Sequence, residues 1–203
     1  MKLRFLSFLV AASAIIFSSC GNESVDQGGT AAKDSAAIDN TKTGNETAPG
    51  NNVESTTATP MKEVVDHYLH VKNALANDNG PEAASGAKAM VASLQKINAD
   101  AFTAEQKKLY DDVAPDLKEH AEHTAGNAGN IGHQREHFIT MSQDVYELVK
   151  GFGATKTLYK DHCPMANDNK GANWISETEE VNNNPYMGKR MPKCGKLEET
   201  IKQ

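Results

Sequence analysis

Cysteine is scarce in this 203-residue chain, with three in all, and so are aromatic residues, at 6%. Three cysteines cannot build a multi-bridge disulfide scaffold. Few aromatics favour small-residue helical packing over a β-sandwich. No basic excess exists: 21 Lys and Arg against 27 Asp and Glu give a formal charge of −6, which argues against nucleic-acid binding. The only long apolar run, Phe5 to Phe17, is broken by Ser7 and Ser13 and is shorter than the ~20 residues a membrane-spanning helix needs. HExxH, GxSxG, CxxC and a phosphate-binding glycine loop are all missing. Nucleophilic and general acid–base chemistry therefore have no visible constellation, and the chain reads as a binding module, not an enzyme.

What is present begins with an address. Lys2 and Arg4 precede the apolar run, and Phe17-Ser18-Ser19-Cys20 follows it. Small residues just before a cysteine resemble a bacterial lipobox, with Phe17 where leucine is usual. Residues 1–19 are expected to be a lipoprotein signal peptide and Cys20 the lipidated residue that anchors the chain to the bilayer. The domain would then sit outside the cytosol, on the periplasmic side of the outer membrane, where thiols can oxidise. Residues 20–60 are rich in Gly, Asn, Ser, Thr, Ala and Asp. Such a stretch cannot bury enough apolar surface to offset its ordering entropy, so it reads as a disordered tether with a reach of roughly 35 Å.

Residues 61–203 form the folded part. Apolar residues recur at three- and four-residue steps over about 61–77, 81–98, 103–121 and 131–151. Thr103 with Gln106 has capping-box spacing, and Pro115 is expected to kink or split the third helix. The fourth stripe is the cleanest: Ile131, Gln134, Phe138, Met141, Val145 and Leu148. Helices with short links pack as antiparallel neighbours. The expected fold class is all-α, an antiparallel four-helix bundle (61–151) carrying an irregular Cys- and Met-containing tail (152–203). In that tail, Lys156 to Asp161 could be a short extended piece and Glu198 to Lys202 a last helical turn. Trp174 is expected to anchor the tail on the bundle.

Two cysteines remain for chemistry, Cys163 and Cys194. Met165, Met187 and Met191 share their 32-residue stretch, and His162 precedes the first. Soft sulfur ligands select copper(I), and thiolates also suit zinc, the lesser expectation here. The proposed metal ligands are thus Cys163 and Cys194, helped by Met165, Met191, Met187 or His162. The competing reading is a disulfide between Cys163 and Cys194, with no metal, stapling a tail that lacks its own core and leaving the helices to dock a partner protein. Six other histidines pair along helix faces: His67/His70, His120/His123 and His133/His137. A second, harder metal site is conceivable there, but polar solvated faces are the simpler reading.

The tail then reaches familiar residues. LY-x3-CPMA (Leu158 to Ala166), Gly-Ala-x-Trp (Gly171 to Trp174), NPYMG (Asn184 to Gly188), Met191 and Cys194-Gly195 resemble the DUF3347 family. Upstream, Gln134-Arg135-x2-Phe138 with Ser142 is similar to a helix of that family. The resemblance spans about residues 62–201. It implies a Bacteroidetes-type lipoprotein, and an association with copper or related metals, because similar domains accompany periplasmic adaptors of heavy-metal efflux systems. Metal-efflux components are therefore the expected partners. Met187 departs from the family, which usually has an aromatic there.

Overall fold

The structure, a computed structural model, describes residues 58–203, with side-chain surroundings from residue 61 onward. The expected signal peptide, Cys20 and residues 20–57 of the expected tether lie outside the described residues, while the tether's last three positions, 58–60, are the first of a helix.

Four long helices come first: α1 (Ala58–Ala76), α2 (Gly80–Leu94), α3 (Ala104–Gly126) and α4 (Ile131–Phe152). The starts of the last three are fixed locally. Asn79 accepts from the Glu82 N–H and Pro81 follows it at the head of α2. Thr103 and Gln106 close a reciprocal capping box on α3. Asn130 accepts from the His133 N–H at α4. α3 runs through Pro115 as one element. Consecutive helices pack side by side, and α4 returns to α1. Where α1 meets α2 the approach is close: a Cβ on Gly86 would lie 3.1 Å from the Val71 backbone nitrogen.

The tail is not irregular, and the all-α expectation fails there. It forms a three-stranded antiparallel sheet, β1 (Leu158–Cys163), β2 (Ala172–Ser176) and β3 (Lys196–Ile201), in the order β2-β1-β3. The fold is mixed α/β, with a single left-handed turn (Ala166–Asn169) between β1 and β2. Two causes hid the sheet. Its strands are only five or six residues long, and β3 pairs with β1 across some thirty intervening residues. Leu197 and Ile201 are also four apart, a spacing that fits one helical face as well as one strand face. The structure selects the strand: every second residue of β3 turns inward, and Glu199 accepts from the Tyr146 hydroxyl and the Lys150 ammonium at 2.7 Å. The expected final helical turn is thus a β-strand.

Helices and sheet share one core. Tyr68 stacks on Phe138 at 5.0 Å, Phe138 meets Tyr186 at 5.8 Å, and Trp174 meets Tyr186 edge-on at 6.0 Å. Trp174 is 1% exposed. Two charges are enclosed at this junction. Lys72 is fully buried and donates to Glu177 at 2.8 Å, which also accepts from Asn73. Asp161 is 1% exposed and its Oδ1 has no hydrogen-bond partner. Burial pushes the Asp161 carboxyl up to about 7, opposed only in part by Lys72.

A raised carboxyl pKa means the folded state holds its proton while the unfolded chain has released it. This group's contribution to stability is therefore largest below the ordinary carboxylate pKa and declines as pH rises towards 7. Asp161→Asn should flatten that decline and stabilise the protein at pH 8 by on the order of 1–3 kcal/mol. Urea midpoints at pH 5 and pH 8 check this; an unchanged difference between the two would show that Asp161 does not titrate there.

Candidate functional site

Cys163 closes β1, with its side chain fully buried beneath the sheet. Cys194 arrives by a different route. Asn184, also fully buried, organises the 184–194 segment. Its Oδ1 accepts from the Tyr186 and Met187 N–H groups, its backbone N–H donates to Pro192, and its Nδ2 donates to the Cys194 carbonyl. Gly195 then leads into β3 at φ +142°, where a Cβ would lie 2.9 Å from both the His162 carbonyl and the Trp174 ring. Only glycine passes there unstrained.

These two routes bring the thiols together, 31 positions apart in sequence, with Sγ···Sγ at 2.8 Å. That lies between a disulfide bond, about 2.05 Å, and the ~3.8 Å edge of a tetrahedral thiolate site built on ~2.3 Å bonds. Either outcome needs a movement of about 1 Å or less. Hydrogen bonding to Cys163, then burial, raises the pKa of the half-buried Cys194 thiol, which favours its protonated form.

The other expected ligands divide. His162 alternates to the opposite strand face from Cys163. Its Nδ1 contacts Asn173, and with Pro164, Cys194 and Lys196 it lines a surface concavity. Met165, 45% exposed, and the half-buried Met187 line a separate concavity with Arg135, Tyr186 and Arg190. Met191 sits in the turn whose carbonyl accepts from the Cys194 N–H. Among the described residues, the only side chain hydrogen-bonded to either thiol is the other thiol. Between Met165 and β2, Asn167, Asp168 and Asn169 all take left-handed backbone angles, which side chains of this type tolerate best.

A second cluster lies on α3 and α4. The ligating atoms of His123, His133 and His137 all fall within 4.8 Å of one another, so this group could hold a metal ion. His120 joins it, with Nδ1 2.7 Å from His137 Nδ1. Burial first, then the neighbouring His133, His120 and His123, hold His137 below the usual imidazole pKa, favouring the neutral ring. Pairwise spacing along each helix could not reveal this convergence, but the hairpin does. His120 and His137, and His123 and His133, stand almost equidistant from the middle of the four-residue link 127–130. An antiparallel hairpin must set such positions opposite each other. His70 is instead paired with Glu82 at 2.5 Å.

Residues 64–157 match the family described as "Protein of unknown function (DUF3347)". That segment belongs to the DUF3347 family. It covers most of α1, all of α2 to α4 and all six paired histidines. It stops before β1, so the Cys163 and Cys194 motifs lie beyond it. No curated protein and no solved structure matches the chain. Among the described residues, no helix is long and apolar enough to cross a membrane.

Arg135 links the DUF3347 helices to the thiol-bearing tail. Its Nε donates to the Pro185 carbonyl at 2.7 Å, and its Nη2 to the Leu75 carbonyl and to Asp78 at 2.9 and 2.6 Å. Charge-assisted bonds of this kind are the strong ones. Arg135→Ala should cost about 2–4 kcal/mol in a denaturant melt and speed alkylation of Cys194 several-fold. Lower stability without faster alkylation would mean that Arg135 holds the helix end but not the Cys194 segment.

Proposed function

We propose that this chain is a metal-binding module, not an enzyme, tethered through Cys20 to the periplasmic side of the outer membrane, where it takes up a soft cation of the copper(I) type at Cys163 and Cys194 and passes it to metal-efflux components. One observation carries the reading: two thiols distant in sequence meet, with one of them, Cys194, half-exposed beside His162. Thiolates select copper(I), which accepts few ligands. A closed zinc site asks for four, and two thiolates with one histidine on the rim fall short of that. A site of few ligands with one of them at the surface suits transfer, because an incoming thiolate or thioether can displace a ligand. Met165, exposed one residue beyond Pro164, is placed to serve as that entry ligand after a local rearrangement.

The same sulfur proximity favours a second reading, a Cys163–Cys194 disulfide in a metal-free interaction domain. One experiment separates them. Anaerobic copper(I) titration against a competing chelator should show one tightly bound ion in the reduced full chain and at least hundredfold weaker binding in Cys163→Ser and Cys194→Ser. Equal binding by all three would reject the thiol site. Protein isolated without reductant that shows no free thiol and takes up no copper(I) would establish the staple instead.

A further inference from the structure

We propose that His123, His133 and His137 form a separate binding site for a borderline transition-metal ion of the zinc(II) or copper(II) class, on the α3–α4 hairpin and independent of the thiol pair. Three features of the geometry carry this.

The first is the ligand spacing. His133 Nε2 and His137 Nε2 are 3.1 Å apart. Two imidazole nitrogens on a tetrahedral zinc at 2.0–2.1 Å would be separated by about 3.3 Å. The pair therefore already spans nearly one edge of the coordination tetrahedron. His123, stacked on His137 at 4.6 Å between centroids, brings the third ligand to the same spot.

The second is the support behind each ring. His133 Nδ1 lies 2.9 Å from Glu136 Oε2. His137 Nδ1 lies 2.7 Å from His120 Nδ1, and His120 Nε2 lies 3.5 Å from Asp116 Oδ1. Metal-bound histidines characteristically donate their outer N–H to a carboxylate or another acceptor, which fixes the tautomer and aims the inner nitrogen. Directing the outer protons that way satisfies the His133–Glu136 and His137–His120 contacts, with the Asp116 carboxylate near the far nitrogen of His120. It also leaves two lone pairs, on His133 Nε2 and His137 Nε2, facing each other at 3.1 Å. Without a cation between them that arrangement is repulsive; with one it is a half-built site. His120 is then a positioning residue for His137 and not a ligand.

The third is access and ligand type. The His123 side chain is 50% exposed and that of His133 38%, so an ion can enter from solvent and a fourth coordination position stays open. An all-imidazole set suits zinc, copper and nickel; magnesium and calcium prefer oxygen. It also differs in softness from the thiol pair, so the two places would sort different ions.

The test is a zinc(II) calorimetric titration of the full chain, reduced, with His123→Ala, His137→Ala, Glu136→Gln and Cys163→Ser. One ion should bind to wild type and to Cys163→Ser alike. Affinity should fall at least a hundredfold in the two histidine variants and about 10–100-fold in Glu136→Gln, the usual effect of losing an outer-shell carboxylate. Zinc binding that survives both histidine substitutions, or no binding to wild type, would overturn the site. Zinc X-ray absorption on unmodified protein gives a readout that needs no variant. A shell of nitrogen and oxygen with several imidazoles supports the proposal, and a sulfur neighbour overturns it. Copper(I) loss confined to the cysteine variants, with zinc loss confined to the histidine variants, would keep the two sites distinct.

Discussion

The hydroxyl of Tyr68 joins the two halves of this domain. It is fully buried on α1, 2.8 Å from Ser142 on α4, and accepts the Ile175 backbone N–H of β2 at 3.0 Å. Tyr186, from the Cys194-bearing segment, reaches the same Ser142 hydroxyl and the Asn173 carbonyl. A helix pair, a sheet strand and the long tail segment thus meet at two phenols and one serine. Removing any one would strand a buried polar group, which costs more than the bond itself gains. The sheet has no second layer of its own; its packing surface is the α1–α4 face that this knot defines. The positions of Cys163 and Cys194 follow from it.

Much of the helical part is legible in the sequence. Thr103 with Gln106, Asn79 before Pro81, and the Ile131-to-Leu148 stripe each state a local rule that the structure obeys. Pro115 does not split α3, which runs on past it. Of the sheet only β1 is legible, as the extended piece over Lys156 to Asp161; the pairing of three strands is not, because its stability is non-local. KLEETI satisfies helix and strand spacing equally, and only pairing with β1 and the Tyr146–Glu199 contact decide between them. The candidate ligands divide on the same line. That the two thiols could share one place follows from their number. That Met165 and Met187 line a separate concavity depends on the turns at 164–171 and 184–194, which no periodicity describes. The histidines are the reverse case. Each pair looks like solvated surface by itself, and the cluster exists only once the short 127–130 link folds α4 back on α3.

α4 serves both candidate sites from different sides. His133 and His137 turn towards α3, while Arg135 and Phe138 turn towards the α1–α2 junction and the tail, and Gln134 bridges Gly80 and Thr124. Successive residues on one helix necessarily point about 100° apart, so adjacent positions can hold unrelated duties. The Arg135 clamp and the His137 cluster are therefore neighbours in sequence without sharing a partner, and substitutions at one need not disturb the other.

The central strand of the sheet is β1, and β3 pairs with it across some thirty intervening residues. The four helices pack mainly on their neighbours in sequence, so their contacts need only short loops to close. The sheet needs a much longer loop closed first, which is the slower event. Cys163 therefore has no partner until β3 is seated, and the chemical fate of the two sulfur atoms is tied to the slowest closure in the domain.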